Sequence, residues 1–293
     1  MQRLLTRRRL PFAIALLVLI AAAVVPAISK IELGKSAAAP AVVARYAPEL
    51  PADPWDPAWR RAPAVRMPVS AVATPGARPI RDVSVRALND GRRIAFRVEW
   101  ADDTQEVTTL RPQDFGDQAA VQLTTGPINV CMGQADRYAH IWHWKADWQY
   151  GSRDMRRQYP NLYTDGYSIG DRGLFQEDLF TRPAATVGNL RARPAHDTPV
   201  EHLIAGGFSS LTTVPDPKMQ NVGGNGVWKD GKWAVVFVRE LAAAGEGDLG
   251  LVPGEPAQVA FAVWDGKQMQ RDGMKYTTTW ATLTLDRPPL ARR

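Results

Sequence analysis

Val83-Ser-Val-Arg-Ala-Leu88, Asn89-Asp90-Gly91 and Arg93-Ile-Ala-Phe-Arg-Val-Glu-Trp100 form the stretch whose reading decides the fold. Ile94, Phe96, Val98 and Trp100 recur at every second position, the period of a strand with one buried face. Asp-Gly between two such runs is a preferred tight-turn pair. The stretch therefore predicts an antiparallel hairpin.

Working outward, further strands are expected at Ala119–Leu123, Ala139–Trp144, Trp233–Arg239, Ala257–Trp264 and Tyr276–Leu285. Lys229-Asp230-Gly231-Lys232 closes a second hairpin between Gly226-Val-Trp228 and Trp233, and Gly223-Gly-Asn-Gly226 before it reads as a turn. Ten Trp, 23 Gly and 23 Pro in 293 residues suit short strands punctuated by turns. The fold class expected is all-β: an antiparallel β-sandwich with long loops and short helical insertions, plus an N-terminal transmembrane or signal helix. No repeat or second linker divides residues 45–293, which read as one domain. Within it, Gly151 to Pro194 is rich in Arg, Asp, Tyr and Gly with weak periodicity, long for a loop unless functional or interfacial.

Leu10 to Ile28 is uncharged over 19 residues, roughly 28 Å as a helix, close to the apolar thickness of a bilayer. Arg3, Arg7, Arg8 and Arg9 precede it and should stay cytoplasmic, sending the rest outward. Arg7-Arg8-Arg9 also partly matches a twin-arginine export signal. Residues 1–30 are expected to be a membrane anchor, with a signal peptide cut after Ala27 or Ala39 as the alternative. Residues 31–44 read as a flexible linker, and the domain beyond as periplasmic, held at the inner membrane if the helix is kept.

Those four arginines carry most of the formal net charge of +6, leaving only +2 for everything after them. No basic block follows, so nucleic acid is not an expected partner. Cys131 is the only cysteine, which excludes an intrachain disulfide, a thiolate cluster and a CxxCH attachment. Hydrolase, Walker, zincin and dinucleotide motifs are all missing. His140 and His143 are three apart, which on a strand places them on opposite faces and argues against a shared metal. His196 and His202 read as loop residues.

Three segments stand in order: Asp117-Gln-Ala-Ala-Val-Gln-Leu123 leading to Cys131-Met132-Gly133, then His140-Ile-Trp-His-Trp-Lys-Ala-Asp-Trp148, then Val263-Trp-Asp-Gly266 leading to Asp272-Gly-Met-Lys-Tyr-Thr-Thr-Thr-Trp280. With Asp53-Pro-Trp-Asp-Pro-Ala-Trp59 and Val85-Arg-Ala-Leu-Asn-Asp-Gly91, the set resembles the haem-b-binding gamma subunits of ethylbenzene dehydrogenase, dimethylsulfide dehydrogenase, and selenate and chlorate reductases. The resemblance runs over about residues 50–287.

It implies one haem b held in a β-sandwich by a methionine and a lysine, which fall on Met132 and Lys275. Cys131 and Met274 stand directly beside them as departures from the pattern, and Lys218, Met219, Lys267 and Met269 are further decoys. An ammonium has no lone pair, so Lys275 would bind iron as the neutral amine. Deprotonating a free lysine at pH 7 costs roughly 4.6 kcal/mol, which burial and the iron–nitrogen bond would have to offset. Trp142 and Trp144 share one face of their strand and either wall the porphyrin or fill the core. Lys145, Arg153, Arg156 and Arg157 either pair with haem propionates or form a solvated surface. The resemblance further implies a molybdenum-containing catalytic subunit and an iron–sulfur subunit as partners, with a quinone or soluble cytochrome as electron partner. The chain itself would be a non-catalytic relay. Two rival readings stay open: a carbohydrate-binding-module-like sandwich, and a stand-alone haem sensor or carrier.

Overall fold

The hairpin expected at residues 83–100 is present. Strands β3 (Asp82–Asn89) and β4 (Arg93–Ala101) pair antiparallel, with Ser84 opposite Glu99 and Asn89 opposite Ile94. Asp90 Oδ1 accepts from Arg92 N at 2.9 Å and Arg93 N at 2.6 Å, and Gly91 takes φ +87°, so the turn is fixed by the residues that predict it. The computed structural model describes residues 40–74, 80–109, 111, 113–126, 132–150, 196–207 and 209–289.

Around this hairpin lie β1 (Ala41–Tyr46), β2 (Val65–Val72), β5 (Gln118–Thr124), β6 (Ala139–Lys145), a short helix α1 (Ala146–Tyr150), β7 (Val200–Ala205), β8 (Thr212–Thr213), β9 (Gly223–Lys229), β10 (Lys232–Glu240), β11 (Ala257–Trp264), β12 (Lys275–Thr278) and β13 (Ala281–Leu285). Hydrogen bonds join the strands in the order β8-β7-β6-β5-β11-β12-β2-β3-β4-β10-β9. The two halves face each other across an aromatic core. Phe96 on β4 lies 6.0 Å from both Trp142 on β6 and Phe261 on β11, and Trp144 on β6 meets Trp233 on β10 edge-on at 5.1 Å. Each such fully buried ring contributes roughly 1.5–3 kcal/mol.

Four expectations need correction. The sheet is not wholly antiparallel: β1 lies parallel to both β13 and β3, with Ala41 opposite Thr282 and Ala44 opposite Ala87. No tight hairpin joins β1 to either neighbour, so nothing forces the antiparallel sense. Ala41 to Ala44, read as linker, therefore belong to the sheet. Tyr276–Leu285 is two strands, because β11 pairs with β12 near one end (Ala262 with Thr277) and with β13 near the other (Ala257 with Leu283). Gly223–Gly226 is strand rather than turn, paired residue for residue with β10.

No helix among the described residues is long and apolar enough to cross a membrane. Residues 1–30, Cys131 and Gly151–Pro194 lie outside the described residues.

Candidate functional site

Strand parity sorts the candidate residues. On β6, His140, Trp142 and Trp144 point inward, while Ala139, Ile141, His143 and Lys145 take the other face. The outward face of β5, β6, β7 and β11 carries its own buried patch: Ala120, Ile141, Leu203, Ala205, Ala262 and Trp264. A sandwich normally turns polar residues outward, so this second apolar layer marks a surface that something covers. Its sequence signal was available. Ala257-Gln-Val-Ala-Phe-Ala-Val-Trp264 is apolar at seven of its eight positions rather than alternating, the pattern of a strand buried on both faces.

Met132 is half-buried and packs against this patch. Its position is set by the residue after it. Gly133 takes φ +77°, and a Cβ there would stand 2.2 Å from Ala205 O and 2.8 Å from Ala139 N. Only glycine fits so close to the ends of β6 and β7, and Gly207 N in turn donates to Met132 O at 2.9 Å. The pairing of methionine with glycine is thus a backbone requirement.

Lys275 opens β12. Tyr276 next to it is in the core, so Lys275 falls on the outward face, with Nζ 5.3 Å from the Trp264 ring centroid. His143 stacks on the same indole at 4.8 Å and 27°. Met132, packed against the patch, and Lys275, beside Trp264, therefore lie on the same outward face, near opposite ends of its strands.

Trp142 and Trp144 do not join them. Both are fully buried among Phe96, Trp233 and Phe261, on the opposite side of the sheet. The porphyrin-wall alternative fails for these two because even-numbered residues of β6 face inward. Trp264, with His143 stacked on it, presents an aromatic surface on the relevant face.

Lys145 is not a solvated cation: it is 2% exposed, paired with Glu201, and its Nζ lies 3.9 Å from the Trp148 ring centroid. His202 is not a loop residue. It sits in β7, fully buried, with Nε2 3.1 Å from His140 Nδ1 and Nδ1 2.8 Å from Met219 O. Burial pushes the His140 imidazole down to about 4 and lowers that of His202 as well, so both are neutral at pH 7. His196 lies flat on Trp148 at 3.7 Å. Arg153, Arg156 and Arg157 lie outside the described residues.

A soft thioether and an amine beside an apolar floor containing three alanines form a donor set that an iron porphyrin suits. A family model described as ethylbenzene dehydrogenase matches residues 56–276, a span that includes both Met132 and Lys275. A protein of Haloferax mediterranei, provisionally named a respiratory nitrate reductase haem subunit, is 26% identical over 80% of this chain and 68% of its own length. The dimethylsulfide dehydrogenase gamma subunit of Rhodovulum sulfidophilum is 28% identical over 82% of this chain and 78% of its own. The chlorate reductase gamma subunit of Ideonella dechloratans is 22% identical over 78% and 76%. Among solved structures, a family 9 carbohydrate-binding module from Caldicellulosiruptor kristjanssonii in complex with glucose covers 86% of this chain and 99% of its own, at 9% identity and a TM-score of 0.44. With the family model spanning most of the domain, the chain belongs to the ethylbenzene dehydrogenase family.

Proposed function

We propose that this chain is a haem-b electron-transfer subunit, gamma type, of a periplasmic molybdenum-dependent oxidoreductase complex, and that it performs no substrate chemistry of its own. The observation that supports the reading is that Met132 and Lys275 both border one apolar sheet face, in a family whose named relatives are haem and gamma subunits. Haem b, when bound, supplies a one-electron couple.

The protein's part is coordination and exclusion. Met132 offers a thioether, which favours the ferrous state and raises the potential relative to two nitrogen donors. Lys275 must give up its proton before its nitrogen can donate, and the indole of Trp264 beside it keeps bulk water from that side. Ala120, Ala205 and Ala262 keep the side chains on that face small. If both residues held the iron, no position would be left for substrate or oxygen, which would suit a relay. Its partners are a molybdenum-containing catalytic subunit, an iron–sulfur subunit, and a quinone or soluble cytochrome. Residues 1–30 hold it at the inner membrane.

The optical spectrum of the purified full chain tests this. A red protein with a sharp low-spin reduced spectrum, unreactive to carbon monoxide, is the expected result. A colourless protein that binds glycans would sink the reading in favour of a carbohydrate-binding sandwich. Rapid carbon monoxide binding would instead point to a stand-alone sensor.

A further inference from the structure

Three aspartates meet at one end of the sandwich. Asp102 follows β4, Asp117 precedes β5 and Asp265 follows β11, and one carboxylate oxygen from each lies within 4.8 Å of the others. They come from both halves of the fold. Asp117 Oδ2 accepts from Glu106 N at 2.7 Å and from Trp233 Nε1 at 2.8 Å, and its Oδ1 accepts from Gly266 N at 2.8 Å. Asp265 Oδ1 accepts from Gln268 N at 3.1 Å, and the Gln268 amide donates to its Oδ2. Asp102 Oδ1 accepts from Thr104 N at 3.1 Å.

Asp102 Oδ2 is different. The residue is 5% exposed, and this oxygen is buried with no partner at hydrogen-bond distance among the described residues; the Trp100 indole N–H, likewise without one, acts on the carboxylate only from longer range. A buried acceptor beside two further carboxylates is costly twice over, through lost hydration and like-charge repulsion. The N–H groups around Asp117 favour its ionised form, but without a cation burial and the neighbouring carboxylates outweigh them.

We propose that Asp102, Asp117 and Asp265 bind a divalent cation of the calcium class, which fastens the end of β4 to the ends of β5 and β11. Three hard carboxylates with irregular spacing suit calcium, which takes six to eight oxygens in flexible geometry, better than magnesium, which demands an octahedron. A cavity of about 830 Å³ bordered by Trp100, Asp102, Thr104, Asp265 and Gln268 supplies the route in and room for water ligands. Arg66, Arg81, Lys232 and Lys267 also line it, with Arg66 paired to Asp82 at 3.6 Å and Lys232 to Glu99 at 3.5 Å. Burial first, and a neighbouring carboxylate second, push Asp102 up to about 7 and Asp117 up to about 8, which a bound cation would reverse.

The other buried cluster of ligand type, His140, His202 and Asp248, shows the contrast. There both Asp248 oxygens accept hydrogen bonds, from Arg239, Ala244 and Leu249, and His202 uses both ring nitrogens, so no atom corresponds to Asp102 Oδ2.

Calorimetry and thermal melting of the EDTA-stripped full chain at pH 8, with calcium chloride as the probe, decide the matter independently of haem content. A single-site isotherm is expected, with a Tm rise of roughly 5 °C or more at a hundredfold excess over Kd. Magnesium chloride, and sodium chloride at matched ionic strength, should give much less. Asp102→Asn should abolish the response, and Asp265→Asn provides the same readout if the first variant does not fold. No heat and no calcium-specific rise would overturn the proposal. So would an equal response to all three salts, or an undiminished response in both variants.

Discussion

Gly226 has no room for a methyl group: a Cβ there would stand 2.2 Å from Cζ2 and 2.7 Å from Cε2 of Trp144. Gly226→Ala should therefore destabilise the fold by about 1–3 kcal/mol, read as a lowered urea midpoint, since the indole is fully buried and hydrogen-bonded to Gln149. From the sequence a short glycine run reads as a turn, and its true reason, an indole some eighty positions away, leaves no local trace. Gly133 makes the same point at the proposed site. Gly133→Ala would drive a methyl into Ala205 O at positive φ, so the variant should fold less stably and lose haem in proportion as Met132 shifts. Full haem retention on purification would detach Met132 from the site. Met132→Ala and Lys275→Ala should each lose low-spin character or haem content, and an unchanged spectrum in either removes that residue.

At the scale of elements, strands with local hairpins were legible and those without them were not. The β3–β4 and β9–β10 turns carry their own Asp-Gly signals, whereas β1 depends on neighbours far along the chain, β13 and β3, and looked like linker. Parity was partly legible: the opposite facing of His140 and His143 follows from spacing alone, but which face of β6 meets the core does not. That is why Trp142 and Trp144 stood as candidates for a site they do not reach. β1 contributes Val42 and Ala44 to the core, both fully buried. Val42→Asp should thus cost several kcal/mol by burying an unpaired carboxylate. A denaturation midpoint within error of the parent would mean that β1 is not part of the cooperative unit.

For the molecule as a whole, the acid and base groups in its interior pull stability in opposite directions. Asp102 and Asp117 keep protons to about 7 and 8 in the folded state, against the ordinary 3.8 of an aspartate. The folded chain then binds more protons than the unfolded one, so in EDTA stability should fall as pH rises from 6.5 through 8. His140 and His202, lowered by burial from 6.5, work the other way and cost stability only below pH 6.5. Urea midpoints at pH 6.5 and 8.5 check this, and Asp102→Asn should flatten the difference. The all-β class and the family were readable from the sequence, while the parallel setting of β1 and the second apolar layer on the outward sheet face emerge only once the strands are paired. On that face the central claim rests, that sulfur and amine nitrogen are the two donors to one iron. Near-infrared magnetic circular dichroism of the oxidised holoprotein tests it most directly: a thioether–amine charge-transfer signature is predicted, and a bis-imidazole or five-coordinate signature would contradict it.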